Sequence, residues 1–310
     1  MSVLSAPHFH DEAAAYAKLE SLLWPHGAVC PRCGGLDRIT KVNGGRVGLY
    51  RCGPCKRQFT VTVGTVFESS HVKLNLWLQA THLLCSSKKG MSSHQIHRIL
   101  GVTYKTAWFM THRLREAMRE GHFPTQLGGE NQVVEVDETY VGGKEGNKHL
   151  SKRTTGRQGG KGKEPVVSLV ERNGRVRSHH VATVSAKTLR PVLQAQIDKK
   201  SYLMTDESKV YGPIGGDFAG HGTVNHSIEE YVRGHFWHTN TVENFFSILK
   251  RGIVGTYHHV SQQHLKRYLA EFDFRHNERA ALGVNDIFRT EKALHGIVGK
   301  RLMYRDSLVA

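Results

Sequence analysis

The sequence predicts a mixed α/β protein whose main domain follows a small cysteine-built module and a helical unit. Three observations predict it. Four of the five cysteines form two C-x-x-C pairs, Cys30 with Cys33 and Cys52 with Cys55. Apolar residues recur at helical spacing through residues 70–122. From residue 131 onward, β-type stretches and helical patterns follow one another as strand, hairpin, helix, strand and helices.

Length and charge set the frame. The chain has 310 residues, room for two or three domains of roughly 100–200 residues. No apolar run approaches the ~18 residues that span a bilayer. The first residues, MSVLSAPHFHDEAAAYAKLE, lack the basic-then-apolar layout of a secretory signal. A cytoplasmic, nucleoid-associated protein with no membrane partner is expected. The formal net charge is +16, from 43 Lys and Arg against 27 Asp and Glu. Such a surplus attracts polyanions, and phosphate neutralisation supplies most non-specific nucleic-acid affinity.

Residues 1–25 predict a short helix with Leu19, Leu22, Leu23 and Trp24 on one side. Residues 26–65 hold the cysteine pairs, 18 residues apart, with a Gly44-Gly45 turn and a short β stretch near Val47 to Arg51 between them. Four thiolates at this spacing surround one Zn²⁺ tetrahedrally and leave no position open for catalysis. A segment this small has too little core to fold alone, so metal supplies folding free energy. Cys85 stands apart on an apolar helix, as a core thiol.

Residues 70–122 predict three helices. Leu74, Trp77, Leu78, Leu84 and Cys85 share a face of the first. Ser92 or Ser93 caps the second, with Ile96, Ile99 and Leu100 apolar, and Gly101 ends it. Thr103 caps the third, where Ala107, Met110, Leu114, Ala117 and Met118 face inward. Helix, Gly-containing turn and helix is a helix-turn-helix layout. Lys105, His112, Arg113 and Arg115 are expected on its exposed side, with Lys105 and Arg113 as DNA contacts.

The main domain is expected over 131–290, with a tail at 291–310. QVVEVDETYVGG is a strand. Residues 141–164 carry seven Lys or Arg and almost nothing apolar, as a flexible basic loop. Asn173-Gly174 turns a hairpin between Val167–Val170 and Val176–Val181. Leu189, Val192, Leu193 and Ile197 mark a helix, SYLMTDES a strand, and residues 240–251 and 261–277 two more helices.

Three acids stand at informative places. Asp137 lies in the first strand of this domain and Asp206 closes the fourth. In HTNTVENFFSILKRG, Val242, Phe245, Phe246 and Leu249 form a buried side, while Asn240, Glu243, Ser247 and Lys250 form another. Carboxylates brought together at sheet ends repel one another unless cations sit between them, and oxygen ligands favour Mg²⁺ or Mn²⁺. Two such ions catalyse in-line displacement at phosphorus. Other assignments stay open at this point. Asp137 and Asp206 also suit polar strand ends, and Asn240 with Glu243 matches a capping box. Glu135, Glu138 and Glu207 are rival carboxylates; alternation puts Glu135 on the face of Asp137 and Glu138 on the other.

CPRCG…YRCGPC, VEVDETYVGGKE, LMTDES and HTNTVENFFSILKRGIVGTYHHVSQQHLKRYLAEFDFRHN together resemble the zinc-ribbon insertion-sequence transposases of bacteria, DDE-class enzymes related to Merlin transposons. The resemblance spans about residues 26 to 290. It implies a ribonuclease-H-like catalytic domain, a triad of Asp137, Asp206 and Glu243 around two Mg²⁺ (or Mn²⁺), and Lys250 as the basic residue seven positions after Glu243. It also implies binding to terminal inverted repeats and target DNA, and a homo-oligomer on DNA. After the catalytic helix, Arg251, His258 and His259 are expected at DNA phosphate, with His238 and Asn240 beside Glu243. A non-catalytic DNA-binding regulator and a ribonuclease-H-like nuclease without strand transfer are the competing functions.

Overall fold

The computed structural model describes residues 2–121, 125–143, 149–153, 160, 162–224 and 237–303. The chain divides into two compact units, Met1–Arg119 with Glu278–Ala310, and Glu120–Asn277.

In the first unit, helix α1 (Glu12–Leu23) starts where the Asp11 carboxylate accepts the Ala14 amide at 2.7 Å. Three short antiparallel strands follow: β1 (Ile39–Lys41), β2 (Tyr50–Cys52) and β3 (Gln58–Phe59). Their small core is Phe59, packed edge-on to Trp24 at the end of α1. Tyr50 ties β2 to α1 by donating to Glu20 at 2.9 Å.

Helices α2 (Leu74–Ser86), α3 (Ser93–Leu100) and α4 (Tyr104–Met118) match the expected trio. Ser92 and Gln95 form a reciprocal capping box, Gly101 ends α3 at φ +66°, and Thr103 caps α4. Of its three apolar residues, Ile96 and Leu100 are buried, one turn apart, and Ile99 is 53% exposed. It lies a quarter-turn off the apolar stripe of this short helix.

The chain returns to this unit at its end. Helix α9 (Asp286–His295) packs against α1, α2 and α4, and Arg289 donates to the Cys85 carbonyl at 3.0 Å. The expected main domain to 290 and tail at 291–310 are thus corrected: the second unit stops at Asn277.

The second unit is a five-stranded sheet in the order β6-β5-β4-β7-β8, flanked by helices. Strands β4 (Val133–Val141), β5 (Glu164–Glu171) and β6 (Val176–His180) are antiparallel, with the hairpin turning at Asn173, φ +59°. Strand β7 (Tyr202–Thr205) runs parallel to β4, and β8 (Gly220–Thr223) parallel to β7. Helices α7 (Asn240–Gly252) and α8 (Gln262–Asn277) cover one face over Val141, Val166, Val170 and Val176. Helices α5 (Ala186–Gln196) and α6 (Gly212–Gly215) cover the other over Val134, Val136, Val167 and Leu169.

Strand β8 has no counterpart in the sequence-based expectation. Its residues, GHGT, carry no β-branched run. The glycines are needed: a side chain at Gly222 would strike the Trp237 ring, and one at Gly220 the Tyr202 ring. Of the basic loop expected at 141–164, residues 144–148, 154–159 and 161 lie outside the described residues.

Candidate metal centre and active site

The cysteine pairs meet. Cys30 Sγ is 3.7 Å from Cys55 Sγ, Cys33 Sγ is 3.6 Å from Cys52 Sγ, and all four sulfurs lie within 4.8 Å of one another. Four sulfurs each about 2.3 Å from a tetrahedral zinc stand about 3.8 Å apart, so the donor set fits that ion. After each pair the backbone turns left-handed, at Gly34 (φ +69°) and Lys56 (φ +59°), which curls each knuckle back on itself. Cys30 and Cys52 are buried beside Phe59.

The acids gather at one end of the second unit's sheet. β4 and β7 pair with Val133 opposite Tyr202 and Glu135 opposite Met204. The pairing ends there and β7 ends at Thr205; the same register carried two steps further would set Asp137 level with Asp206. Asp137 faces the α7 side, and Glu243 lies in the first turn of α7. Burial pushes the Asp137 carboxyl up to about 7, and the negative charges of Asp206, Glu138 and Glu243 add to the rise against one bond from the Glu138 amide. Each acid is therefore within electrostatic reach of Asp137.

Among the described residues, the cysteines are the set whose ligand atoms all lie within 4.8 Å. The acids stand more openly, and Glu243 accepts from the Thr239 hydroxyl at 2.8 Å. Asp137, Asp206 and Glu243 are the oxygen donors that could hold divalent cations there. Glu207 is exposed, unlike half-buried Asp206.

Glu135 has another task. It is fully buried and accepts from Arg172 Nε at 2.7 Å, the Thr241 amide at 2.8 Å, the Thr241 hydroxyl at 2.9 Å and the Val242 amide at 3.0 Å. His238 Nδ1 lies 3.3 Å from it, and Arg172 also donates to the His238 carbonyl at 2.8 Å. His238 thus stands beside Glu135. The capping box offered by Asn240 and Glu243 does not form: Thr239 is the N-cap residue, Asn240 is exposed, and Glu135 supplies the missing acceptors. Glu138 points to the other face, where it accepts from the Tyr211 hydroxyl at 2.5 Å. Nothing local in the sequence marks the roles of Thr239, Arg172 and Tyr211.

The expected DNA contacts divide. Lys105, Lys250, Arg251, His258 and His259 are exposed. Arg113 is not: it is 8% exposed, donates to the carbonyls of Glu68 and Leu302 and stacks on Phe109. His112 and Arg115 are buried as well. α4 is enclosed on more sides than its apolar stripe predicts, and the long Arg stems fill that space. Tyr257 and the buried Arg275 both bond to Glu271, which pins the turn carrying His258 and His259 to α8.

Comparison with known proteins agrees with this architecture. Residues 10–58 match the family profile described as the transposase zinc-ribbon domain, and residues 126–277 that of the ISXO2-like transposase domain. The class is thus that of transposases encoded by insertion sequences. A protein of Halobacterium salinarum described as an uncharacterized protein in transposable element ISH50 is 30% identical over 280 residues, 86% of this chain and 91% of its own length. The chain belongs to the zinc-ribbon, ISXO2-like family of insertion-sequence transposases.

Proposed function

We propose that this transposase binds the terminal inverted repeats of its element, cuts at their ends and transfers the 3′-hydroxyl to target DNA. Asp137, Asp206 and Glu243 would hold two Mg²⁺, or Mn²⁺. The observation that supports this is their placement: Asp137, on the strand that pairs in parallel with β7, is within electrostatic reach of Asp206 and of Glu243 in the first turn of α7. The strand order, three antiparallel strands followed by two parallel ones, favours a ribonuclease-H-like catalytic domain. Burial, with the charges of Asp206, Glu138 and Glu243 adding to it, raises the Asp137 pKa, and divalent cations would relieve the cost of ionising it. When bound, the two ions activate the attacking hydroxyl and stabilise the leaving oxygen at phosphorus.

The chain's own residues do the rest. Thr239 holds one oxygen of Glu243 and so aims its carboxylate. Lys250, on the exposed side of α7, contacts phosphate near the scissile bond. Arg251, His258 and His259 extend that basic surface, and Lys105 serves the helical unit in holding the repeats. One zinc in the four-cysteine site staples the ribbon. Synapsis of two ends calls for a homo-oligomer on DNA, and a nucleoid-associated, cytoplasmic location follows from the substrate. No helix among the described residues is long and apolar enough to cross a membrane.

The test uses DNA carrying an element end, with Mg²⁺. The native chain should nick the end and join pre-cut ends to target DNA. Asp137→Asn, Asp206→Asn and Glu243→Gln should still bind ends and cut nothing. Equal function in the variants identifies a regulator, and cutting without joining identifies a nuclease.

A further inference from the structure

We propose that Glu135 is a positioning residue: it locks α7 to β4 and thereby sets how far Glu243 stands from Asp137. This rests on the metal-binding role assigned above. A carboxylate with no solvent exposure is costly unless fully partnered. Glu135 accepts from the Arg172 side chain, the Thr241 hydroxyl and two backbone amides of α7, Thr241 and Val242. Those amides belong to the first turn, which has no partner within the helix. The positive end of the helix dipole also points at this carboxylate.

The placement decides the role. Asp137 lies two residues after Glu135 on the same face of β4, roughly 6.6 Å along the strand. Glu243 directly follows Val242, whose amide Glu135 holds. A cap from within the helix, such as Asn240 with Glu243, would bond other first-turn amides and leave α7 free to shift against the sheet. A cap supplied by β4 joins the elements that carry the first and third acids. Arg172 extends the clamp to the chain entering α7 through the His238 carbonyl.

Loosening this joint should weaken metal binding before it harms the chemistry. The experiment is a Mn²⁺ titration followed by electron paramagnetic resonance, on the zinc-loaded full-length chain, comparing native, E135Q, E135D and D137N. Folding is monitored by circular dichroism and zinc content. Folded E135Q should bind Mn²⁺ about tenfold or more weakly, the range for losing a group that orients metal ligands. DNA cleavage by it should recover largely at saturating Mn²⁺, and E135D should regain part of the affinity. Native affinity in folded E135Q overturns the proposal. If E135Q does not fold, T241A, which loses one donor, carries the test: weaker Mn²⁺ binding supports the clamp, and unchanged binding in both T241A and E135D overturns it. Absence of Mn²⁺ binding by the native chain sinks the metal role itself, and this proposal with it. Binding by the native chain that D137N lacks upholds that role whatever E135Q does.

Discussion

Arg113 donates to the backbone carbonyl of Glu68 at 3.1 Å, so a cation that the sequence offers to DNA is spent inside its own unit. Arg113→Ala should therefore destabilise the first unit by about 2–3 kcal/mol, the cost of stranding buried acceptors and removing the packed stem. Urea unfolding measures it. An unchanged midpoint with weakened end binding would restore the DNA role. Lys105→Ala should do the opposite: same midpoint, weaker binding, and a salt-dependence slope shallower by about 0.9.

The ribbon should depend on its metal. Cys52→Ser should abolish the one bound zinc and unfold β1–β3, because Phe59 and Trp24 supply too small a core without it. Zinc release with a colorimetric chelator and backbone NMR of residues 26–65 report this. Retained β1–β3 cross-peaks in the zinc-free variant would refute it. The second unit's melt should stay unchanged, since none of its core residues belong to the ribbon.

Asp137 sets a pH dependence with a definite sign. Burial, with the neighbouring carboxylates adding to it, raises its folded pKa to about 7 from the usual 3.8. Its contribution to stability is complete below about pH 4 and is lost as pH rises through 7. In metal-free protein at pH 8, Asp137→Asn should melt higher than native, and the gap should close as pH falls toward 4. Mg²⁺ should stabilise the native chain at pH 8 and leave D137N unaffected. Scanning calorimetry at several pH values decides it; a lower melting point for D137N at pH 8 would refute the cost of burying the ionised carboxylate at this site.

Lys250 is exposed on α7, two turns past Glu243. Lys250→Ala should leave the melting temperature unchanged and reduce cleavage tenfold or more, about the 1.4 kcal/mol or greater expected of one charged phosphate contact. Lys250→Arg should keep most of the activity. Single-turnover cleavage separates these, and native rates in Lys250→Ala would remove Lys250 from the site.

By itself the sequence determined what short-range physics controls. The cysteine pairs announced the ribbon through ligand spacing, Ser92 and Thr103 announced helix starts, Asn173-Gly174 announced the hairpin, and the apolar stripe of Val242, Phe245, Phe246 and Leu249 announced the buried side of α7. Each depends on neighbours within a turn or two. Tertiary structure decided the rest, because packing chooses partners far apart in the chain. Alternation along β4 left both Glu135 and Asp137 facing inward; only the arrival of Thr241, 106 residues on, distinguished the helix clamp from the acid left facing Asp206 and Glu243. Likewise the return of α9 to the first unit, the glycine-built β8 and the burial of Arg113 follow from which surfaces meet, and no local pattern encodes that.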